Sequence, residues 1–111
     1  MATISNLFVD AGSTYSNIIT VTASNGQALD LTGYSVASQM RKSYSSSTVY
    51  NFTASIYNAA TGKIRLQLTN TQSESIPAGR WLYDVEITSA SGTKTRVVEG
   101  IVTVTPQITQ I

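Results

Sequence analysis

Cysteine and histidine are both absent from this 111-residue chain. Without cysteine there is no disulfide framework, thiolate nucleophile or iron–sulfur cluster, and cysteine pairing says nothing of the redox compartment. Without histidine the commonest general base and the commonest metal ligand are missing, so only an all-oxygen metal site would remain. Charge is scarce as well. Charged residues make up 12% of the chain, and seven Lys plus Arg stand against six Asp plus Glu for a net charge of +1. That is too little for a protein that gains affinity by neutralising several phosphates, so a nucleic-acid partner is not expected. Long hydrophobic runs are also lacking. No apolar stretch is long enough for a membrane helix, and the opening MATISNLFVDAG has no basic segment leading into an apolar one. The expectation is a soluble chain made without a signal peptide and with no membrane partner.

The chain is rich in small hydroxyls: 15 Ser and 16 Thr, 31 of 111 residues, a composition that suits strands and turns better than helices. Its length fits one domain, residues 1–111. Apolar residues alternate with polar ones in segments broken roughly every 8 to 12 residues by Gly, Asn, Ser or Asp, the pattern of an antiparallel sandwich or barrel. Strands are expected at 3–9 (an edge), 15–23, 28–33, 34–40, 48–56, 64–68, 81–87 and 95–105. In the last, Val98, Val102 and Val104 share a face with Gly100, but Val97 and Ile101 leave the facing ambiguous. Asn58-Ala59-Ala60-Thr61-Gly62 reads as a hairpin connection with its glycine in a left-handed position. Thr71-Gln72-Ser73-Glu74 fits a capping box for a helical turn that Pro77 stops. Pro106 ends the last strand before a short tail. The core is expected around Trp81, Tyr83, Val85, Phe52, Ile56, Ile64, Leu66 and Leu68.

Few residues suggest chemistry. Asp84 and Glu86, two apart on one strand, are compatible with half a calcium site or an acid/base pair. A solvated strand face paired with Arg96 or Lys94 across the final hairpin explains them better, and no calcium-loop pattern is present. The sequon Asn51-Phe52-Thr53 lies in a predicted strand and is read as chance. Arg41, Lys42, Tyr44 and Tyr50 bracket the serine-rich run 43–47, and cations beside aromatics are a common way to hold a sugar, a carboxylate or a partner chain. The plainer reading is a hydrated hairpin tip whose cations guard an edge. The expectation is therefore a non-enzyme without metal or cofactor, meeting partners through sheet edges and flat polar faces, with these four residues as the candidate interface or ligand loop.

Four phrases together carry a resemblance: Leu29-Asp30-Leu31-Thr32-Gly33-Tyr34 leading to Ser38-Gln39-Met40-Arg41-Lys42; Ala59-Ala60-Thr61-Gly62-Lys63-Ile64; Ala78-Gly79-Arg80-Trp81-Leu82-Tyr83-Asp84-Val85; and Val98-Glu99-Gly100-Ile101-Val102-Thr103-Val104-Thr105-Pro106. In order and spacing they resemble the small immunoglobulin-like domain at the start of baseplate upper proteins of tailed bacteriophages. They are also similar to short virion-associated proteins of T4-like marine phages. The resemblance spans roughly residues 28–106. It implies an immunoglobulin-like antiparallel β-sandwich of seven or eight strands with one short helical turn, a non-catalytic virion structural protein assembled in the host cytoplasm. Its partners would be other virion proteins of the baseplate, tail or capsid, and a homo-oligomer is compatible with it. Baseplate or tail-fibre attachment is favoured. No stalk or receptor-binding region follows the domain in this sequence, which keeps capsid decoration open, with a surface glycan-binding module as a further alternative.

Overall fold

A computed structural model describes residues 3–23 and 25–106. The tail expected after Pro106 lies outside the described residues, as does Ser24 of the turn at 24–27. The chain is all-β apart from one short helix. Its elements are β1 (Thr3–Ile4), β2 (Leu7–Asp10), β3 (Tyr15–Thr20), β4 (Ser35–Arg41), β5 (Val49–Asn58), β6 (Lys63–Leu68), α1 (Asn70–Glu74), β7 (Gly79–Thr88) and β8 (Lys94–Thr105).

One strand joins two layers. The first half of β5 pairs with β4, matching Met40 to Tyr50 and Ser38 to Phe52. Its second half leaves β4 and pairs with β6, matching Ala54 to Leu66 and Ile56 to Ile64. Ladders thus run β1-β8-β7-β4-β5-β6-β3, with β2 following β1 on β8. The curled sheet folds over into two packed layers without closing, because a strand that changes partner midway turns the corner between them. The order, with a first strand on the last and β7 between β8 and β4, is that of an immunoglobulin-like sandwich. The expected antiparallel pairing holds except at one edge. There β1 and β2 run parallel to β8, Thr3 beside Val98 and Leu7 beside Val102.

Alternation decides which side chains are inside. On β7 Trp81, Tyr83, Val85 and Ile87 are buried, and on β6 Ile64, Leu66 and Leu68. Together with Met40, Phe52, Val98, Val102 and Val104 they form one apolar cluster. Phe52 bridges the layers, its ring 6.1 Å from that of Tyr15 on β3 and 6.1 Å from that of Tyr83 on β7. Seven of the eight expected core residues are buried, while Ile56 is half-buried beside the cluster.

Two local expectations need correction. Residues 28–33 form no strand; they make one isolated bridge, Thr22 to Ala28. The hairpin at 59–62 takes the place of a strand partner there, since Val21 N–H donates to Gly62 O (2.8 Å) and Leu31 N–H to Ala59 O (2.8 Å). The alternation in this segment reflects Leu31 plugging the core at 1% exposure, not sheet pairing. The capping box sits two residues earlier than expected. Thr69 Oγ1 accepts from Gln72 N–H (3.1 Å) and Gln72 Oε1 from Thr69 N–H (2.8 Å). Leu68 is the last buried residue of β6, so the chain must turn at Thr69. Ser73, the hydroxyl inside the expected box, is buried and pins the β2–β3 turn, donating to Ser13 O at 2.7 Å and accepting from Gly12 N–H at 3.1 Å. The ambiguous facing of β8 also resolves. A bulge opposite Val85 and Glu86 inserts Val97 as an extra residue, after which Val98, Gly100, Val102 and Val104 turn inward together.

Candidate functional site: a groove and a free edge

On the outer face of β4, β7 and β8 the side chains are those the alternation leaves out of the core: Gln39 and Arg41 from β4, Leu82, Asp84 and Glu86 from β7, Arg96 and Glu99 from β8. The loop 43–47 rises over this face. Its shape is fixed by Ser46 N–H donating to Ser43 O (3.1 Å) and by Arg41 Nη1, which donates to Ser46 O (2.8 Å). Tyr44, 82% exposed, stands at the rim. Beneath it lies an open groove of about 380 Å³ lined by Gln39, Arg41, Tyr44, Asp84, Glu86 and Arg96. A second hollow of about 300 Å³ shares Tyr44, Leu82, Asp84 and Arg96 and continues toward Ile4 and Ile101. The two make one depression with a polar end and an apolar end.

Arg96 organises the charges. Its Nε lies 3.1 Å from Asp84 Oδ2 and its Nη1 3.2 Å from Glu99 Oε2. This bears out the cross-strand pairing expected for Asp84, whereas Glu86, the register partner of Arg96, makes no ion pair among the described residues. The bulge at Val97 offsets Arg96 from its neighbour and turns it to Asp84. Partial burial and the nearby Glu86 carboxylate push the Asp84 carboxyl above the ordinary aspartate value, and the Arg96 guanidinium only partly offsets them. Asp84 first, and then Glu99, hold the Arg96 proton more tightly than usual.

The four residues singled out from the sequence are not brought into one site. Arg41 and Tyr44 belong to the groove. Lys42 and Tyr50 belong to the Trp81 end of the core. Lys42 Nζ donates to Arg80 O (3.0 Å) and sits 5.0 Å from the Trp81 ring centroid. Tyr50 meets the same ring edge-on at 5.3 Å. Gln39 and Arg96 were missed as groove residues, and the outward parity of β4 and β8 was the signal that would have found them. Among the described residues no group of three Asp or Glu is placed to hold a metal ion, and no helix is long and apolar enough to cross a membrane.

Among the described residues the opposite layer ends at β3, which pairs with β6 on one side only. The sequence Tyr-Ser-Asn-Ile-Ile-Thr carries no charge and no proline, and its register with β6 is unbroken from Tyr15 to Thr20. Ile18 is 43% exposed on its outer face. Nearby, the Arg65 guanidinium lies 4.4 Å from the centroid of the exposed Tyr57 ring. The other edge is broken between β1 and β2, where Ser5 N–H donates to Glu99 O (2.9 Å) and Asn6 Oδ1 accepts from Ile101 N–H (3.1 Å).

No family model and no curated protein matches the chain. Among solved structures it is similar to an internalin-like protein of Listeria monocytogenes, at 13% identity and a TM-score of 0.49 over 94% of this chain and 28% of that one. It is also similar to a family 123 glycoside hydrolase from Clostridium perfringens, at 10% identity and a TM-score of 0.41 over 98% of this chain and 24% of that one. The chain thus spans about a quarter of the length of each.

Proposed function

We propose that this chain is a non-catalytic assembly module of a tailed-phage particle that docks on another virion protein by strand addition at β3. The observation that carries the docking is the edge itself. A six-residue edge whose outward backbone groups have no partner among the described residues, without charge, proline or bulge, forms a template for another strand, and natural sheets usually blunt such edges when nothing covers them. The resemblance of residues 28–106 to the first domain of baseplate upper proteins supplies the phage context and favours the baseplate or a tail-fibre attachment over the capsid surface.

Ile18→Lys tests the edge. Ile18 lies on the exposed face of β3 between the polar Ser16 and Thr20, opposite Arg65 of β6, so the lysine adds charge beside the edge that an incoming strand would meet and leaves the core intact. Particles grown with this variant are separated into heads and tails, and the chain is quantified in each by mass spectrometry. The expected result is wild-type chain with the tails and loss of the variant from particles, although the variant stays folded with only the small loss of stability that a lysine opposite Arg65 brings. Wild-type chain with the heads makes it a decoration protein. Its absence from both fractions defeats the virion reading, and full incorporation of Ile18→Lys defeats docking at β3.

A further inference from the structure

We infer that the groove beneath Tyr44 binds a neutral saccharide. The groove lies on the layer opposite the β3 edge, so the inference stands apart from the docking reading. Sugar rings present two kinds of surface, axial C–H groups that pack on an aromatic face and hydroxyls that both donate and accept. The groove offers partners for both. Tyr44 is an aromatic ring with 82% of its surface free, carried on a loop that Arg41 holds in place through Ser46 O. Facing it are planar groups fixed on strands: the Asp84 and Glu86 carboxylates accept from adjacent hydroxyls, Arg96 and Arg41 donate, and the Gln39 amide does both. Strand mounting keeps these groups in place, which lowers the ordering cost of binding.

Charge selects among ligands. Arg96 is already shared between Asp84 and Glu99, and Arg41 is engaged by the loop. The three acids Asp84, Glu86 and Glu99 are therefore not outweighed by free cations, and a phosphate, sulfate or sialic acid would meet repulsion. The apolar end, where Ile4, Leu82 and Ile101 stand beside Asp84, Arg96 and Glu99, suits a second ring or an acetamido methyl. At about 380 Å³ the polar end is near the lower limit of ligand sites, roughly 300 to 1,000 Å³, and it is open to solvent. Weak binding follows, with a dissociation constant of about 1 mM.

The test is an amide chemical-shift titration of the whole chain with the methyl glycosides of glucose, galactose and N-acetylglucosamine, and with N-acetylneuraminic acid as the charged comparison. At least one neutral glycoside is expected to give saturable shifts centred on Tyr44, Leu82, Asp84 and Arg96. Tyr44→Ala, an exposed loop change that leaves the core untouched, is expected to weaken that binding roughly tenfold or more. The inference is overturned if no neutral glycoside gives saturable shifts, if Tyr44→Ala binds as tightly as the native chain, or if N-acetylneuraminic acid binds more tightly than every neutral one.

Discussion

Tyr83 on β7 lies directly opposite Gly100 on β8, and its hydroxyl reaches beyond that glycine to donate to Ser5 O on the edge of the sheet. Three adjacent parts of one layer are tied together by a single side chain. The tie depends on the glycine having no side chain. A Cβ at Gly100 would press into Ser5, closest at its carbonyl oxygen and 2.8 Å from its carbonyl carbon, and would lie 3.0 Å from Asn6 Oδ1. Gly100 is thus the place where the edge comes against β8, and burial around Tyr83 pushes its hydroxyl up to about 12 despite the bond to Ser5.

Gly100→Ala and Tyr83→Phe therefore act on the same contact. The alanine is expected to cost about 1 to 3 kcal/mol by forcing Ser5 and Asn6 away from β8. Removing the hydroxyl is expected to cost about 0.5 to 1.5 kcal/mol, plus a share for leaving Ser5 O unpaired. Because the displaced edge can no longer accept the bond, the double variant should lose less than the sum of the two. Urea unfolding of all four proteins checks this, and strictly additive losses would mean that the edge stays in place.

Trp81 is expected to dominate the stability of the other end of the core. It is 3% exposed, its indole N–H donates to Pro77 O at 3.0 Å, and Tyr50 packs on its edge. Trp81→Ala should cost about 3 to 5 kcal/mol, the range for truncating a buried large aromatic. Lys42→Gln, which removes the cation beside the ring and its hydrogen bond to Arg80 O, should cost about 0.5 to 1 kcal/mol. The indole is the only one in the chain, so the wild-type emission should shift to the red on unfolding and report both variants' reference directly.

The alternation of Trp81 to Ile87 and of Ile64 to Leu68 made the core legible, because in a strand buried on one face the period of two is a direct record of which side is dry. The hairpin glycine at 62 was legible for the same local reason. What the sequence did not disclose was non-local. The alternation of Leu29 and Leu31 looks the same whether a segment pairs as a strand or plugs a gap, and only the arrival of residues 59–62 from another hairpin decides it. The capping box was read at Thr71 and lies at Thr69, because a Thr-x-x-Gln box fits the same local chemistry and only the burial of Leu68 fixes where β6 ends. The separation of Arg41 and Tyr44 from Lys42 and Tyr50 follows from opposite parities at the end of β4 and start of β5, which four residues read as one loop cluster concealed.

Asp84 sets a pH dependence opposite in sign to that of an ordinary ion-paired carboxylate. Its folded carboxyl lies above the unfolded value, first through burial and then through Glu86. The folded state therefore binds the proton more tightly. This contribution to stability is fully present below about pH 4, where both states are protonated, and is lost as pH rises through the raised folded value. Asp30 runs the other way. The Thr32 hydroxyl and then its N–H hold that carboxyl below the ordinary value, so its contribution is lost as pH falls. Asp84→Asn should flatten the decline above about pH 4 and leave the acid-side loss from Asp30 in place. Urea midpoints across the acid to neutral range check this, and an unchanged slope in Asp84→Asn would remove Asp84 as its source.

Gly62 meets two independent demands, and their combination makes it the least replaceable hairpin residue. Its φ of 69° lies in the left-handed region, where any other residue is strained. An added Cβ would also sit 2.6 Å from Val21 O and 2.7 Å from Leu29 O, both backbone atoms that cannot rotate away. Gly26, at φ 83° with open space around the Cβ position, meets only the first demand. The two alanine variants separate the terms. Gly26→Ala should cost about 1 to 2 kcal/mol, the left-handed penalty alone. Gly62→Ala should cost that and a further 1 to 3 kcal/mol, roughly, for overpacking, because Val21 and Leu29 must move and carry the plug at Leu31 with them. Thermal unfolding of the pair checks the difference, and equal losses would show that the 28–33 segment yields without cost.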